Sequence, residues 1–434
     1  MSACLTETLR HPLSLQRPLD RLAKYVAGHG ALPSLVAIVL QRQSAEMRVE
    51  CECHNPYVRF LISAGEASGE LYGAKLIEAL HRLSRSPSGL EFFGVGGERM
   101  RQAGCDLVVN ANQIAVVGLA EVVEHLPRVF RLFHKVVAEA DRRRPAAAVL
   151  IDFPDFNFRL ARELHQRGIP VIYYVSPQLW AWRQSRIELV RKYVRKMLVI
   201  FPFEEEFYRQ HGIGAEYVGH PLAEMTLPSV TREQFAAENG IDPDRQWIAL
   251  LPGSRRGEVS RIFPRLLQAA QLLGEEYVYI VPVASTLDPR WMASFFRDTS
   301  GAITLTKDAR SALLHARAAA VASGTSTLEA ALIGTPFAMV YQVAPLTWTF
   351  GRRLVKVDRF AMPNLIAERD VVPELVQDSF TPERVCAELK RLMPEGDDRT
   401  AMMAGFGEVR RRLRGSDAAG DASTRAARAV WNAL

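Results

Sequence analysis

Short apolar runs alternate with stretches of helical periodicity from residue 57 onward. The run Val58–Ile62 leads into a turn of small residues, and Leu71, Ala74, Ile77 and Leu80 then recur at helical spacing. The pattern predicts a strand, a glycine-bearing turn and a helix. Similar apolar runs recur along the chain at Phe92–Val95, Ala146–Ile151, Val171–Val175, Met197–Phe201, Trp247–Leu251, Tyr277–Val283, Ile303–Leu305, Ala319–Ala322 and Pro336–Tyr341.

This alternation indicates an α/β fold whose parallel sheets are covered on both faces. We expect two Rossmann-like, doubly wound domains that face each other across a cleft. The predicted boundaries are an N-terminal extension of unknown status at 1–56, a first Rossmann-like domain at 57–222, a second at 223–400 and C-terminal helices at 401–434 that pack back on the first domain. No motif lies before residue 57, so we expect the extension to be dispensable.

Composition narrows the class of partner and compartment. The chain has 434 residues and a net charge of +6, which favours an anionic partner. Its longest apolar run, Leu35–Leu40, is far shorter than the ~20 residues of a membrane-spanning helix. Five scattered cysteines indicate a reducing compartment. Cys51, Cys53 and His54 have no second ligand pair at zinc-like spacing, so we predict no metal site.

Two turns in the first half have the composition of ligand loops. Gly65, Glu66, Ser68 and Gly69 lie between the first strand and helix, where a helix N-terminus and small residues can accommodate an anion. Gly94, Gly96 and Gly97 form a second such turn. An ordinary helix cap explains either turn equally well.

Two further loops in the second half suit a nucleotide. Gly253, Ser254 and Arg255 follow a strand and open a helix, a combination of backbone donors and a guanidinium that fits a diphosphate. The second loop contains Gly324, Thr325, Thr327 and Glu329, in which hydroxyls fit a phosphate and the carboxylate fits ribose hydroxyls. Helix capping by Thr325 or Ser326 is the alternative for that loop.

A candidate base follows the strand that ends at Ile151. Asp152, Asp155 and Asn157 lie at the sheet edge where such folds bind ligands. A carboxylate there can deprotonate a nucleophile, or it can form a turn or cap a helix. We predict that Asp152 is the base and that Asp155 caps the helix after Pro154.

The ordered motifs resemble those of the lipid A disaccharide synthase family. They cover residues 57 to about 377 and read ISAGEASGE, FFGVGGERM, VVGLAEV, IDFPDFN, VSPQLWAWR, LPGSRRGEV, SGTSTLEA and MPNLIA. The resemblance implies a glycosyltransferase B architecture, with the domain at 57–222 as the acceptor domain and the domain at 223–400 as the UDP-sugar domain. It also implies transfer of 2,3-diacylglucosamine from its UDP donor to the 6-hydroxyl of 2,3-diacylglucosamine 1-phosphate, at the cytoplasmic face of the inner membrane of Gram-negative bacteria and without a cofactor.

The resemblance also assigns roles to residues. Asp152 matches the catalytic carboxylate, Arg255 the diphosphate-binding arginine and Glu329 the ribose ligand, while Asn364 matches a position in the nucleotide half. Asp155, Asn157, Trp180 and Arg183 lie in matching motifs and are included among the substrate-binding residues. The chain departs from the family pattern in its first 56 residues and in Arg256, which follows Arg255 and competes with it for the diphosphate.

The acylated substrates of that family predict contact with an anionic membrane. One apolar stripe beside Arg128 and Arg131 suits this role, and Trp180, Trp182 and Arg183 can extend it. A buried core helix is the alternative. The stripe consists of Val116, Val117, Leu119, Val122, Val123, Leu126, Val129 and Phe130.

Other classes of protein remain as alternatives. A UDP-sugar 2-epimerase, or another lipid-linked sugar transferase, would share the second-half loops, but the motifs around Asp152 and Trp180 favour the synthase. A nucleic-acid-binding protein could use Arg191, Lys192, Arg195 and Lys196, yet no recognisable binding module is present, so we predict no nucleic-acid partner. The sequence does not determine the oligomeric state, and a homodimer is one expectation.

Overall fold

The computed structural model of the chain describes residues 58–84, 89–115, 122–296, 303–344, 348, 357–414 and 420–434. The N-terminal extension, Cys51, Cys53 and His54, and residues 116–121 of the apolar stripe lie outside these ranges. Residues Val58–Leu434 form one compact unit. None of the described helices is both long enough and apolar enough to span a membrane.

Thirteen strands form two sheets within the described ranges. The first sheet contains β1 (Val58–Ala64), β2 (Leu90–Gly96), β3 (Cys105–Asn110), β4 (Ala147–Ile151), β5 (Val171–Tyr174), β6 (Lys196–Val199) and β7 (Ala215–Tyr217). The second contains β8 (Gln246–Leu251), β9 (Tyr277–Pro282), β10 (Ile303–Thr306), β11 (Ala318–Ala322), β12 (Phe337–Tyr341) and β13 (Glu374–Val376).

Helices follow the strands in both halves. Those of the first half are α1 (Ala67–Leu83), α2 (Glu98–Gln102), α3 (Asn112–Ala115), α4 (Val122–Arg143), α5 (Pro154–Gln166), α6 (Ile187–Tyr193) and α7 (Pro202–Gln210). Those of the second half are α8 (Arg232–Asn239), α9 (Arg256–Leu273), α10 (Pro289–Ala293), α11 (Ala309–His315), α12 (Thr325–Ile333), α13 (Met362–Ala367), α14 (Pro382–Leu392), α15 (Asp397–Arg414) and α16 (Ala422–Trp431).

Both sheets are parallel and doubly wound, as the alternating pattern predicts. The strand orders are β3-β2-β1-β4-β5-β6-β7 and β10-β9-β8-β11-β12-β13. The order reverses between β1 and β4 in the first sheet and between β8 and β11 in the second, which is where open α/β sheets bind ligands. The central strands β4 and β11 are buried at every position, since helices cover both faces of each sheet.

Strand register places the candidate loops side by side. Ala64 pairs with Ile151, so the Gly65 turn and the Asp152 turn leave adjacent strands at the same edge. Val321 likewise pairs with Leu251, which brings the Arg255 loop next to the Gly324 loop. Each half therefore presents two neighbouring loops at its carboxyl edge.

The C-terminal helix returns to the first half. The α16 helix packs on α1, and the Trp431 ring meets the edge of Phe60 with ring centroids 5.6 Å apart. Arg425 of α16 donates to the backbone carbonyl of Val218 (2.8 Å) and pairs with Glu224 (3.0 Å). These contacts anchor the end of the chain to the segment that connects the two sheets.

Candidate active site

The turn between β4 and α5 has an unusual backbone. Asp152 and Phe153 both have positive φ angles, 45° and 50°. Non-glycine residues in this region cost on the order of 1–3 kcal/mol each, and such strain persists only where the surroundings enforce it. Here the Asp152 carbonyl accepts hydrogen bonds from the Asn157 amide (2.8 Å) and the Tyr173 hydroxyl (2.7 Å). The two donors hold Asp152 in its strained conformation.

Asn157 connects this turn to the neighbouring strand. Its amide also donates to the Ile151 carbonyl (3.2 Å), and its oxygen accepts from the Ser63 hydroxyl (2.7 Å) at the end of β1. The side chain is fully buried. The sequence placed Asn157 among the substrate-binding residues, but its polar atoms are occupied within the protein. It fixes the position of the Asp152 turn instead.

Gly65 allows the two turns of the first half to meet. A Cβ atom at residue 65 would lie 2.3 Å from ring atoms of Phe153, which is well inside contact distance. The Phe153 ring stacks on Phe156 with centroids 5.4 Å apart. Gly69 is buried beside Ala64 and Ile151, and Ser68 is half-buried in the first turn of α1. A glycine at 65 is therefore required by packing.

The Gly96–Gly97 turn has a structural explanation. The Glu70 carboxylate accepts a hydrogen bond from the backbone N–H of Arg99 (2.7 Å), and a Cβ at Gly97 would lie 2.5 Å from that carboxylate. The turn is therefore packed against α1. Of the two alternatives that the sequence left open for this turn, the structure favours the helix start over a ligand loop.

The Asp152 carboxylate has a strongly perturbed pKa. Burial raises its pKa to about 7, and the negative charge of Glu66 acts in the same direction. The Phe153 backbone N–H and the Arg255 guanidinium oppose the shift. A carboxyl group with a pKa near 7 is a functional-site candidate, because it can accept a proton close to neutral pH.

Arg255 comes from the second half and meets this carboxylate cluster. It is the last residue before α9, and its guanidinium pairs with Glu66 at 3.1 Å while remaining 77% exposed. The preceding Gly253 has a φ of 112°, and the backbone N–H of Ser254 donates to Glu258 (3.1 Å). The loop thus holds Arg255 at the contact between the two halves.

Arg256 points elsewhere. Its guanidinium lies over the Trp291 ring, 5.3 Å from the centroid. Of the two adjacent arginines, only Arg255 is paired with the first half in the described structure. Of Arg255 and Arg256, it is therefore Arg255 that is directed toward the first half and the candidate base.

The Gly324 loop leaves the start of α12 without a side-chain cap. Gly324 is the N-cap residue, with a φ of 142°, and neither Thr325 nor Ser326 makes a capping hydrogen bond. Thr327 is buried; its hydroxyl donates to the Gly324 carbonyl (2.7 Å) and accepts from the N–H of Met362 (3.3 Å). Thr325 is exposed and Thr327 is buried, so of these two hydroxyls only that of Thr325 is accessible to a ligand.

Glu329 carries a half-buried carboxylate one turn further along α12. Burial raises its pKa, and Arg310 opposes the shift. The Tyr72 hydroxyl experiences both Glu329 and Asp152, since both carboxylates raise its pKa in addition to burial. Tyr72 therefore lies near a carboxylate from each half. Its position within a regular helical pattern gave no sequence signal for this placement.

Two residues predicted to bind substrate, Asn364 and Trp180, are buried and paired within the protein. Asn364 is fully buried; its oxygen accepts from the N–H groups of Val371 (2.8 Å) and Val372 (2.9 Å). Trp180 is buried, and its indole N–H donates to Glu204 (3.2 Å). In the described structure, the polar side-chain atoms of both residues are paired within the protein.

Glu204, the acceptor of the Trp180 indole N–H, lies in no motif of the sequence. It is fully buried and accepts hydrogen bonds from the N–H groups of Ile200 (3.2 Å) and Phe201 (3.0 Å). Burial raises its pKa to about 8 although these donors oppose the shift. It supports the loop that carries Trp180.

Asp155 does not cap α5 as the sequence predicted. The N-cap residue is Phe153, no side chain caps the helix, and the Asp155 carboxylate is 72% exposed. It pairs instead with Arg186 and, at 3.4 Å, with Arg183. Arg183 also lies over the exposed Trp182 ring, 4.3 Å from its centroid. The position of Asp155 directly after Pro154 had suggested that it caps the helix, but its carboxylate pairs with the two arginines.

Comparison with known proteins settles the family. The sequence matches the lipid-A-disaccharide synthetase family over residues 60–426. The chain belongs to this family. The lipid-A-disaccharide synthase of Koribacter versatilis is 57% identical over 375 residues, covering 86% of this chain and 98% of the relative. That of Acidobacterium capsulatum is 49% identical over 366 residues, covering 81% and 91%.

Solved structures share the fold of this family member. The calicheamicin glycosyltransferase CalG4 aligns with a TM-score of 0.52 at 18% identity, covering 87% of this chain and 98% of that one. The UDP-GlcNAc 2-epimerase of Neisseria meningitidis bound to UDP-GlcNAc aligns with a TM-score of 0.55 at 9% identity, covering 81% and 98%. The glycosyltransferase B architecture predicted from the sequence is confirmed, and this synthase family member is a glycosyltransferase.

Proposed function

We propose that this chain transfers 2,3-diacylglucosamine from its UDP donor to the 6-hydroxyl of 2,3-diacylglucosamine 1-phosphate, which forms the β-1,6 disaccharide 1-phosphate and UDP. Family membership supports the reaction. The site observation that carries the mechanism is that Arg255 from the second half pairs with Glu66 and that both charges act on the pKa of Asp152 from the first half.

The chemistry is a direct displacement at the anomeric carbon. Asp152 takes the proton of the acceptor hydroxyl as its oxygen forms a bond to the anomeric carbon. The bond from that carbon to the UDP oxygen breaks, and its electron pair leaves with UDP. Attack from the opposite face inverts the configuration. The Asp152 proton then returns to solvent, so the enzyme is ready for the next donor.

Arg255 stabilises the leaving group. Negative charge grows on the diphosphate as the bond breaks, and a guanidinium at the loop before α9 can pair with those oxygens. The diphosphate competes with the Glu66 carboxylate for the Arg255 guanidinium, so donor binding breaks the ion pair between Glu66 and Arg255. Gly253, Ser254 and Gly324 let backbone N–H groups approach the phosphates.

Glu329 is assigned to the donor ribose. No hydrogen bond joins its carboxylate to another described residue, and a half-buried carboxylate accepts two vicinal hydroxyls well. Thr325, exposed at the start of α12, is suited to a phosphate oxygen. Ser68 of α1 lies at the same edge as Asp152 and is suited to the acceptor side.

We further propose that the enzyme acts at the anionic inner face of the inner membrane. Both substrates carry acyl chains, and the side chains of Phe130 and Trp182 are 46% and 41% exposed beside basic residues. Vesicles containing anionic lipid should bind the protein, and salt should weaken that binding. Unchanged binding by a folded Trp182→Glu, Phe130→Glu protein would contradict this contact. The predicted homodimer is tested separately by sedimentation.

Product identification tests the function. Purified protein is mixed with both substrates, and the disaccharide 1-phosphate is sought by mass spectrometry and its linkage by NMR. A β-1,6 product with stoichiometric UDP is expected. Epimerisation of UDP-GlcNAc with no disaccharide would point to the alternative enzyme class.

A further inference from the structure

The acceptor in the proposed function carries a phosphate monoester that needs a cationic partner of its own. Arg255 is assigned to the donor diphosphate, which lies on the other side of the reacting carbon. The acceptor phosphate therefore calls for positive charge on the first half, near Asp152. This inference rests on the proposed function and asks which residues supply that charge.

Two arginines converge next to the candidate base. Arg183 and Arg186 lie in the segment that follows β5, and both pair with the carboxylate of Asp155. That carboxylate is 72% exposed, and Arg183 is 45% exposed. One carboxylate shared by two guanidiniums leaves a net positive charge open to solvent.

The pair lies on the correct edge of the sheet. The β5 strand is the direct neighbour of β4, and Tyr173 near the end of β5 donates to the Asp152 carbonyl. The Asp152 and Asp155 Cα atoms are three residues apart and so at most ~11 Å from each other. Six bonds join the 6-oxygen of the acceptor to its phosphorus, a path of at most roughly 9 Å. The two spans are similar, which is compatible with a phosphate beside both arginines when the acceptor hydroxyl lies at Asp152.

The backbone and side chain of Arg183 are both held in a defined conformation. Arg183 has a φ of 51°, a left-handed conformation that costs a non-glycine residue on the order of 1–3 kcal/mol. Its guanidinium is further oriented over Trp182, 4.3 Å from the ring centroid. An incidental surface ion pair would require neither feature.

We propose that Arg183 and Arg186 bind the phosphate monoester of the acceptor, and that Asp155 occupies them until the phosphate replaces its carboxylate. A phosphate monoester carries about −1.5 to −2 charges, which matches two guanidiniums better than a single carboxylate does. Guanidiniums also bind phosphate oxygens in a bidentate way that lysine does not reproduce. The site thus selects acceptors phosphorylated at the anomeric position.

The test compares two acceptors that differ only in this phosphate. We would measure kcat/KM for 2,3-diacylglucosamine 1-phosphate and for 2,3-diacylglucosamine, using wild type, Arg183→Gln and Arg186→Gln. Each variant should lose at least about tenfold with the phosphorylated acceptor and change less than about twofold with the other. Arg209→Gln, which removes an exposed ion pair with Glu206 on α7, is the matched control and should match wild type.

Arg99 is the alternative candidate for binding the acceptor phosphate. It follows β2 at the same edge, but β2 is separated from β4 by β1, whereas β5 adjoins β4. Arg99→Gln should leave the discrimination between the two acceptors intact. Selective loss in Arg99→Gln but not in the Arg183 or Arg186 variants would overturn the proposal. So would equal losses on both acceptors, or a wild-type enzyme that uses them equally.

Asp155→Asn should change the KM for the phosphorylated acceptor in the opposite direction to the arginine variants. Removing the competing carboxylate should lower the KM for the phosphorylated acceptor and strengthen inhibition by inorganic phosphate. A loss like that of the arginine variants would contradict the proposed role of Asp155. Arg183→Gln, the more exposed change, carries the test if Arg186→Gln does not fold. Absence of disaccharide from wild type with either acceptor would instead refute the proposed function.

Discussion

The raised pKa of Asp152 predicts a specific pH dependence. A base with a pKa of about 7 is about one-tenth ionised at pH 6 and about nine-tenths ionised at pH 8. The value of kcat/KM should therefore fall by roughly tenfold between these two pH values and by a further tenfold toward pH 5. The measurement is initial-rate UDP release across this range at fixed ionic strength.

Replacing Glu66 separates its effect on the pKa of Asp152 from the effect of burial. Glu66 raises the pKa of Asp152, and it also holds Arg255, which lowers that pKa. Glu66→Gln removes the negative charge and leaves Arg255 free, so the acid limb of the profile should move to lower pH. Arg255→Gln should move it to higher pH. Identical acid limbs in all three proteins would refute the assignment of that limb to Asp152.

The same shift predicts an effect on stability. The folded pKa of about 7 lies above the ordinary value of 3.8, so the native state loses stability as pH rises from about 4 to 7. The loss reaches at most about 4 kcal/mol above pH 7, at ~1.4 kcal/mol for each pKa unit. Asp152→Asn removes this cost. Its Tm should exceed that of wild type by more at pH 8 than at pH 4, and an equal difference at both would contradict the argument.

Other changes test the remaining assignments. Glu329→Ala should raise the donor KM with little change in kcat, because ribose contacts stabilise the bound substrate and the transition state equally. Arg255→Ala should also lower kcat, because charge on the leaving group develops in the transition state. If the two variants changed KM and kcat in the same way, this distinction would be wrong. Gly65→Ala should cost at least about 1–3 kcal/mol of unfolding free energy in urea titrations and lower activity, because its Cβ would meet the ring of Phe153. Deletion of residues 1–50 should leave activity intact, since the family match begins at residue 60, and an insoluble truncated protein would count against this.

The sequence located the main strands and the loops that follow them. Apolar runs of ordinary strand length predicted β4, β8 and β11 within one residue at either end. Three of the four edge strands in the described sheets, β3, β7 and β13, were not predicted. The β7 and β13 strands each have three residues, Ala215–Tyr217 and Glu374–Val376, and a polar glutamate in each hides the apolar pattern.

Side-chain direction was the less predictable part of the site. Motif spacing placed Asp152 and Arg255 at the two sheet edges but could not distinguish Arg255 from Arg256, because adjacent residues share a loop. It also could not show that Asn157, Asn364 and Trp180 are turned inward. Burial and pairing of polar groups are set by neighbours distant in sequence, such as Ser63 for Asn157.

A single-turnover comparison of Asp152→Asn with Asp155→Asn tests the central claim most directly. Both substrates are supplied at saturation, the disaccharide is quantified by rapid quench, and UDP affinity and Tm are measured in parallel. Loss of the base should slow transfer by roughly 10²–10⁴-fold in Asp152→Asn, with UDP affinity nearly unchanged and Asp155→Asn close to wild type in transfer rate. Near wild-type transfer by a folded Asp152→Asn protein, or a larger loss confined to Asp155→Asn, would contradict the account.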